Sequence, residues 1–295
     1  MHSEKLDTVS LYEEFESYFS YGSEALAQEC SLKSVFEYHN RTGGGRTRAR
    51  LALECCSDAG LSQATSVRLA AACECLHQAS LLHDDIMDSD DQRRGREAVW
   101  SKFGSSSAIC LGDELIGAAF SELSQIQGLK DTQLPDLIRY ASRAISRSAA
   151  GQVLDCSFKS QEQTSLEHYE KASGSKSGPL LALPFGLTMI AVGEDENCFA
   201  CLDEITTAFG TAYQLLDDFE DRETDYGEQL NGYWVMFSIV GNHNGARALL
   251  SQRYHWYRRV MLKGLNCLPT YCHGALNSLY RVLAGKAKAA GLLDE

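Results

Sequence analysis

Asp84-Asp85-Ile86-Met87-Asp88 and Asp217-Asp218-Phe219-Glu220-Asp221 lie 133 residues apart and share one spacing, Asp-Asp-x-x-Asp. In a helix, residues one turn apart share a face, so Asp84 with Asp88, and Asp217 with Asp221, each aim two carboxylates at one point. Such a pair is costly unless a cation sits between. Hard oxygen donors with coordination positions left over suit Mg2+, which takes one or two carboxylates, keeps waters and completes its shell with substrate phosphate oxygens. The chemistry expected of these residues is therefore to hold a diphosphate through metal. One acidic run also fits a solvated helix end. Two copies, each preceded by apolar residues (Ala79, Leu81 and Leu82; Tyr213, Leu215 and Leu216), fit it poorly.

The elements that must position these acids read as helices. Proline is scarce, with four residues in 295, and periodic apolar segments rich in Ala, Leu, Glu and Gln dominate over alternating strand-like runs. The spacing predicts helices over 24–38, 47–59, 64–88, 106–127, 135–160, 166–193, 196–224, 244–262 and 272–291. The best defined carries the first acidic set: Leu69, Cys73, Leu76, Ser80 and His83 form a buried stripe leading into it. Gly43–Gly45 and Gly227–Gly232 read as loops. The length prior would allow two domains, but no linker or repeat offers a boundary, so residues 1–295 are expected to form a single all-α domain.

A formal net charge of −13 argues against nucleic acid as partner. The eleven cysteines show neither a signal peptide nor the spacing of a small secreted scaffold, which points to a reduced, cytoplasmic chain. Cys198-x-x-Cys201 has no second pair to complete a zinc site and reads as helix packing. The apolar run Leu180–Val192 is interrupted by Pro184 and Gly186 and is shorter than a bilayer span, so no transmembrane segment is expected.

Further segments stand in a recognisable order: Gly43-Gly44-Gly45-Arg46-Thr47-Arg48, Glu74-x-x-His77 before the first acidic set, Arg93-Arg94-Gly95 after it, Gly112-Asp113, Gly151-Gln152-x-x-Asp155, Lys176-Ser177, and Gln214 before the second set. The series resembles the trans-prenyltransferase family, the class I isoprenyl diphosphate synthases, over most of the chain. The resemblance implies an isoprenoid-synthase-like helical bundle around a deep apolar cavity, with the two acidic sets facing each other at its mouth. It implies a homodimeric transferase that ionises an allylic prenyl diphosphate and condenses it with isopentenyl diphosphate. About two to three Mg2+ ions would be held by Asp84, Asp88, Asp217, Asp221 and Asp225. Asp84, Asp85, Asp88, Lys176, Gln214 and Asp217 would be the catalytic set. Arg93 and Lys176 would brace the allylic diphosphate, whereas Arg48, His77 and Arg94 would hold that of isopentenyl diphosphate, and Ser177 joins the substrate-binding residues. Arg46, following the glycines at a helix start, joins the phosphate-binding residues, since such a loop offers backbone N–H groups to an anion.

Two departures keep other readings open. The family places a lysine where this chain has Gly45, so one cation is missing from the isopentenyl site. The lysine the family carries after the second acidic set is also missing, for residues 222–234 contain none. Asp217, Asp221 and Asp225 fall at i, i+4 and i+8 of a continued helix, the spacing though not the residue types of the metal triad in class I terpene cyclases. A terpene synthase, or a prenyltransferase with another acceptor, is therefore an alternative, against which stand Arg48, His77 and Arg94. A non-catalytic synthase subunit is a third reading, disfavoured by two intact acidic sets.

Product length in this family is limited by the fourth and fifth positions before the first acidic set, about one helical turn below the metals. Here these are Ser80 and Ala79, both small. A donor or product of about fifteen to twenty carbons or more is expected, with Phe120 as the candidate floor of the cavity.

Overall fold

The computed structural model describes residues 7–27, 32–157, 164–194, 197–224 and 230–293, with the side chains of 20–27 outside the description. Among the described residues there are twelve α-helices and one two-stranded hairpin, the all-α architecture that few prolines and long apolar repeats dictate. The helices are α1 (Thr8–Ala27), α2 (Lys33–Arg41), α3 (Thr47–Asp58), α4 (Gln63–Met87), α5 (Val99–Phe103), α6 (Ser105–Ser124), α7 (Gln133–Cys156), α8 (Leu166–Val192), α9 (Asn197–Glu220), α10 (Gly232–Val240), α11 (His243–Gly264) and α12 (His273–Ala289). The hairpin pairs β1 (Gln92–Arg93) with β2 (Arg96–Glu97).

Two compact units divide the chain: residues 1–141 with 183–194, and 142–182 with 195–295. In the first unit, α4 starts where Ser62 accepts a hydrogen bond from the Thr65 N–H at 3.2 Å, an N-cap that satisfies one orphan donor. Its buried residues include Val67, Leu69, Ala72, Cys73, Leu76, Ala79 and Leu82, so it is apolar on most of its circumference and must run through the interior. Helices α3 and α6 cover it. In the second unit α9 is the central element, contacted by α10, α11 and α12. Leu202, Ile205, Phe209, Leu215 and Leu216 form its buried stripe.

Several elements differ from the sequence expectation. Helix α1 begins at Thr8 rather than at 24. Leu11, Phe15 and Phe19 recur every four residues and are buried, with Phe15 and Phe19 stacked 5.4 Å apart, so the acidic residues between them occupy only the outer face. The short helices α5 and α10 were not expected; α10 begins at Gly232, at the end of the predicted loop, because the Asn231 side chain accepts from the Tyr233 N–H at 3.0 Å and caps it. Helix α9 stops at Glu220 instead of continuing to 224, with the Thr224 N–H turning back to the Asp221 carbonyl at 3.0 Å. The predicted helix of 135–160 ends at Cys156.

Helix α8 runs unbroken through Pro184 and Gly186 and is long and apolar enough to cross a membrane, but 72% of its apolar window is buried inside the protein. The described cysteines are free thiols. Cys201 donates to the Gly264 carbonyl at 3.2 Å, a packing contact between α9 and the end of α11.

Candidate active site

In the first unit the acidic set occupies the C-terminal end of α4. Asp84 lies in the last turn, and the Asp88 N–H closes on the Asp84 carbonyl at 2.9 Å, so the two side chains stand one turn apart on one face. Both are half-buried. Asp85, between them, is 2% exposed and turns to Arg93, whose Nε donates to its Oδ1 at 2.7 Å, with a second donation from the same guanidinium. Burial raises the Asp85 pKa, and Arg93 opposes that rise.

The hairpin explains how Arg93 gets there. Arg94 and Gly95 form its turn with φ of 55° and 73°, the left-handed pair that a tight two-residue hairpin requires. The turn sends Arg93 back onto α4 and lets Arg94 donate to the Gly43 carbonyl of the glycine-rich loop. A side chain at Gly44, where φ is 134°, would collide with the Arg94 guanidinium. Gly45 has no such constraint: a Cβ there meets only the Thr47 hydroxyl, at 3.4 Å.

Behind the loop, Arg48 hydrogen-bonds His77 Nε2 at 3.0 Å. Burial, followed by the charges of Arg48, Arg94 and Arg93, holds the His77 pKa well below its ordinary value. The ring is therefore neutral, accepts at Nε2 from the arginine, and carries its proton on Nδ1, which is buried without a hydrogen-bond partner. Arg46 points elsewhere. It is 7% exposed with φ of 46°, and its guanidinium meets Glu74 at 3.1 Å, the Asn40 side chain and the Phe19 ring. It fastens the loop to α4 from inside.

In the second unit the same spacing stands at the end of α9. The Asp221 N–H bonds the Asp217 carbonyl at 2.9 Å, again placing the first and last acids one turn apart. Asp218 is 4% exposed and accepts from the Tyr169 hydroxyl at 2.6 Å, the Gly232 N–H at 2.5 Å and Gln214 Nε2 at 2.8 Å. Its backbone carbonyl takes Asn231 Nδ2 at 2.8 Å. Asp217 is ion-paired with Lys286 of α12, which also reaches Glu220 at 2.7 Å. Burial raises the Asp217 pKa and the lysine opposes it. Asp225 lies outside the described residues.

Lys176 belongs to this unit as well. Gly151 of α7 lies so close to the α8 backbone at Ser175–Lys176 that any side chain would run into it, and Ser148 donates to the Lys176 carbonyl at 2.7 Å. Lys176 Nζ reaches Asp155 Oδ2 at 3.0 Å, joining two motifs that sequence reading held apart. Ser177 is half-buried one residue on.

Tyr169, Asn231 and Lys286 belong to none of the sequence motifs. Tyr169 and Lys286 meet their acids across 49 and 69 residues of chain, and no local pattern announces such partners. Asn231 did carry a signal, a short amide before an apolar run, which is an N-cap pattern.

Both acidic sets stand at helix C-termini, the negative pole, where added carboxylates oppose the helix and gain from a cation. Among the described residues no group of three or more His, Cys, Asp or Glu could hold a metal unaided. Two carboxylates per set with the remaining positions open is what Mg2+ bound largely by water and phosphate needs, so the donor chemistry fits that ion.

A sequence family described as Polyprenyl synthetase matches residues 29–231, the segment that carries both acidic sets, the glycine loop and Lys176. The chain belongs to the polyprenyl synthetase family. It is 30% identical to an octaprenyl diphosphate synthase of Escherichia coli over 208 residues, covering 70% of this chain and 62% of that protein, so the match spans about six-tenths of the relative's length. It is 32% identical to a farnesyl diphosphate synthase of Geobacillus stearothermophilus over 211 residues, covering 68% and 69%. Its fold is similar to that of a decaprenyl diphosphate synthase from Rhodobacter capsulatus, with a TM-score of 0.75 at 20% identity over 96% of this chain and 99% of that one.

Proposed function

We propose that this polyprenyl synthetase family member is a Mg2+-dependent trans-prenyltransferase that ionises an allylic prenyl diphosphate and joins the resulting carbocation to isopentenyl diphosphate. The supporting observation is the paired construction of the acidic helix ends, each with its middle carboxylate tied inward and its outer two one turn apart. In this reading Asp84 and Asp88, and Asp217 and Asp221, hold the metal ions, and the chain works as one isoprenoid synthase domain in a homodimer. The spacing that would add Asp225 to these ligands requires a continued helix, and α9 stops at Glu220. Bound Mg2+ supplies the positive charge that stabilises a departing diphosphate.

The chain's own residues do the rest. Lys176 and Arg93 brace the allylic diphosphate, with Ser177 beside Lys176 as a further donor; charge aimed in advance at a leaving group lowers the barrier without reorganisation. The hairpin turn fixes Arg93 on Asp85, and its side chain stays 24% exposed. Arg48, Arg94 and the Nδ1–H of neutral His77 offer donors to the second diphosphate. Asp85 and Asp218 act as positioning residues, holding Arg93 and the segment from Asn231 in place, and Gln214 acts through Asp218. Arg46 holds the loop rather than the substrate. Ala79, at 2% exposure, and half-buried Ser80 put no bulk below the first acidic set, which supports a product of about fifteen to twenty carbons or more.

A second reading, a terpene synthase or a prenyltransferase with another acceptor, is favoured by Gly45 and by the lysine-free segment 222–234. Diphosphate release from an allylic donor with Mg2+, measured with and without isopentenyl diphosphate, separates the two. Release that depends on isopentenyl diphosphate is the expected result. Release without it favours a terpene synthase, and no release from a folded chain under either condition contradicts both the synthase and the terpene synthase and leaves transfer to another acceptor.

A further inference from the structure

Lys286 lies in the last turn of α12, where its ammonium donates to Asp217 and to Glu220, the latter at 2.7 Å, and stands 5.1 Å from the centre of the Tyr213 ring. These partners, at positions 213, 217 and 220, come from successive turns of one face of α9. The side chains of Lys286 and Asp217 are 21% and 30% exposed, so the pair is ordered by its neighbours yet open to a ligand. Lys286 lies outside the motif series and outside the matched residues 29–231.

Resting on the reading of Asp217 as a metal ligand, we infer that Lys286 is a resident counter-cation of the second acidic set: it neutralises Asp217 until a divalent metal takes that carboxylate, and its released ammonium then binds the diphosphate. A divalent ion at Asp217 repels an ammonium held on the same carboxylate, and a lysine's four-carbon stem lets its compact charge move to a new anion nearby. The diphosphate brought by the metal is that anion. The device offsets the missing lysine, since residues 222–234 provide none.

The inference has two opposite signatures. Without the lysine, bare metal binds more tightly because a competing charge is gone, whereas metal-bound pyrophosphate binds more weakly because a donor is gone. Both are read by binding in the full chain carrying Asp84→Asn and Asp88→Asn, so that the second set alone reports: Mn2+ by electron paramagnetic resonance, and inorganic pyrophosphate by calorimetry at saturating Mn2+. Lys286→Met should tighten Mn2+ roughly tenfold and weaken pyrophosphate by a similar factor. Lys286→Arg, which keeps the charge, should stay close to the parent in both, and exposed Lys288→Met should change neither. Equal Mn2+ affinity in parent and Lys286→Met, or undiminished pyrophosphate affinity, overturns the inference while the metal reading stands. Absence of Mn2+ binding in every folded variant overturns the metal reading itself, and this inference with it.

Discussion

At the end of α4 the buried carboxylate, Asp85, faces a guanidinium, while at the end of α9 its counterpart, Asp218, faces neutral donors from Tyr169, Gln214 and the Gly232 backbone. The second unit instead places its cation, Lys286, on the outward Asp217. One spacing is thus wired in two ways. A middle acid that meets Arg93 orients a group able to touch substrate. A middle acid that meets a tyrosine and a helix start fixes the backbone following the site. Asp-Asp-x-x-Asp specifies which side chains share a face, and the partners on other elements decide what the remaining acid does.

If the outer acids of both sets hold metal, the two ends should be equally indispensable despite that difference. Asp84→Ala and Asp217→Ala are each expected to lower prenyl transfer by at least about 10²-fold, in the range seen when a preorganised electrostatic group is removed, with melting temperatures that show a folded chain. Steady-state turnover in saturating Mg2+ checks this, and near-normal activity in either variant would break the symmetry.

The middle acids should separate sharply in stability. Asp218→Ala leaves the Gly232 N–H buried without its acceptor and the Tyr169 hydroxyl with only Ser173 beside it, and is expected to cost about 3 kcal/mol. Asp85→Ala leaves Arg93, whose side chain is 24% exposed, able to reach water, at a cost of about 1 kcal/mol. Urea unfolding of the two variants at neutral pH measures the difference; equal costs would mean that the two wirings are equivalent.

How much of this was legible follows from where each partner sits in the chain. Helix α4 was readable because its apolar stripe is long and Ser62 caps it locally, and the pairing of outer acids follows from helical geometry alone. The glycine loop and Arg93-Arg94-Gly95 were visible as motifs, but that Arg94 lies over Gly44 was not, because 50 residues separate them. Arg46 shows a related limit: its place next to glycines is the local pattern of a phosphate ligand, while Glu74, 28 residues away, holds its guanidinium inward. Helix α10 has no readable period because nine residues, nearly all apolar, are too few to distinguish helix from strand. Its start depends on Asn231, which Asp218 anchors through the fold.

The units also differ in a buried histidine. His39, in the first, bonds Gln78 at 2.8 Å, and burial lowers its pKa from 6.5 to about 4. Its ring stays neutral in the folded chain while the unfolded chain takes up a proton between those values, so stability is full above about pH 6.5 and falls as pH drops towards 4. The loss at pH 5 relative to pH 7 is about 2 kcal/mol. His39→Gln, which keeps a donor for Gln78, should remove this component, as hydrogen exchange of α2 and α4 at the two pH values would register. An unchanged pH response in the variant would place the sensitivity elsewhere.

The smallest expected change concerns the missing lysine of the glycine loop. Gly45 has room for a side chain, and Gly45→Lys should tighten isopentenyl diphosphate by on the order of 1 kcal/mol. A shift in its apparent KM with kcat little changed would sharpen the assignment of Arg48, His77 and Arg94 to that substrate. No response would weaken it.

Mass spectrometry of the organic-extractable and diphosphate products from allylic donors of increasing length, with Mg2+ and isopentenyl diphosphate, bears most directly on prenyl transfer as the activity. The account predicts linear diphosphates longer than the donor by whole isoprene units and ending at about fifteen to twenty carbons or more, with Ala79→Phe or Ser80→Phe shortening the series. Cyclised hydrocarbons or prenyl alcohols formed equally well without isopentenyl diphosphate, or donors recovered unchanged, would contradict it.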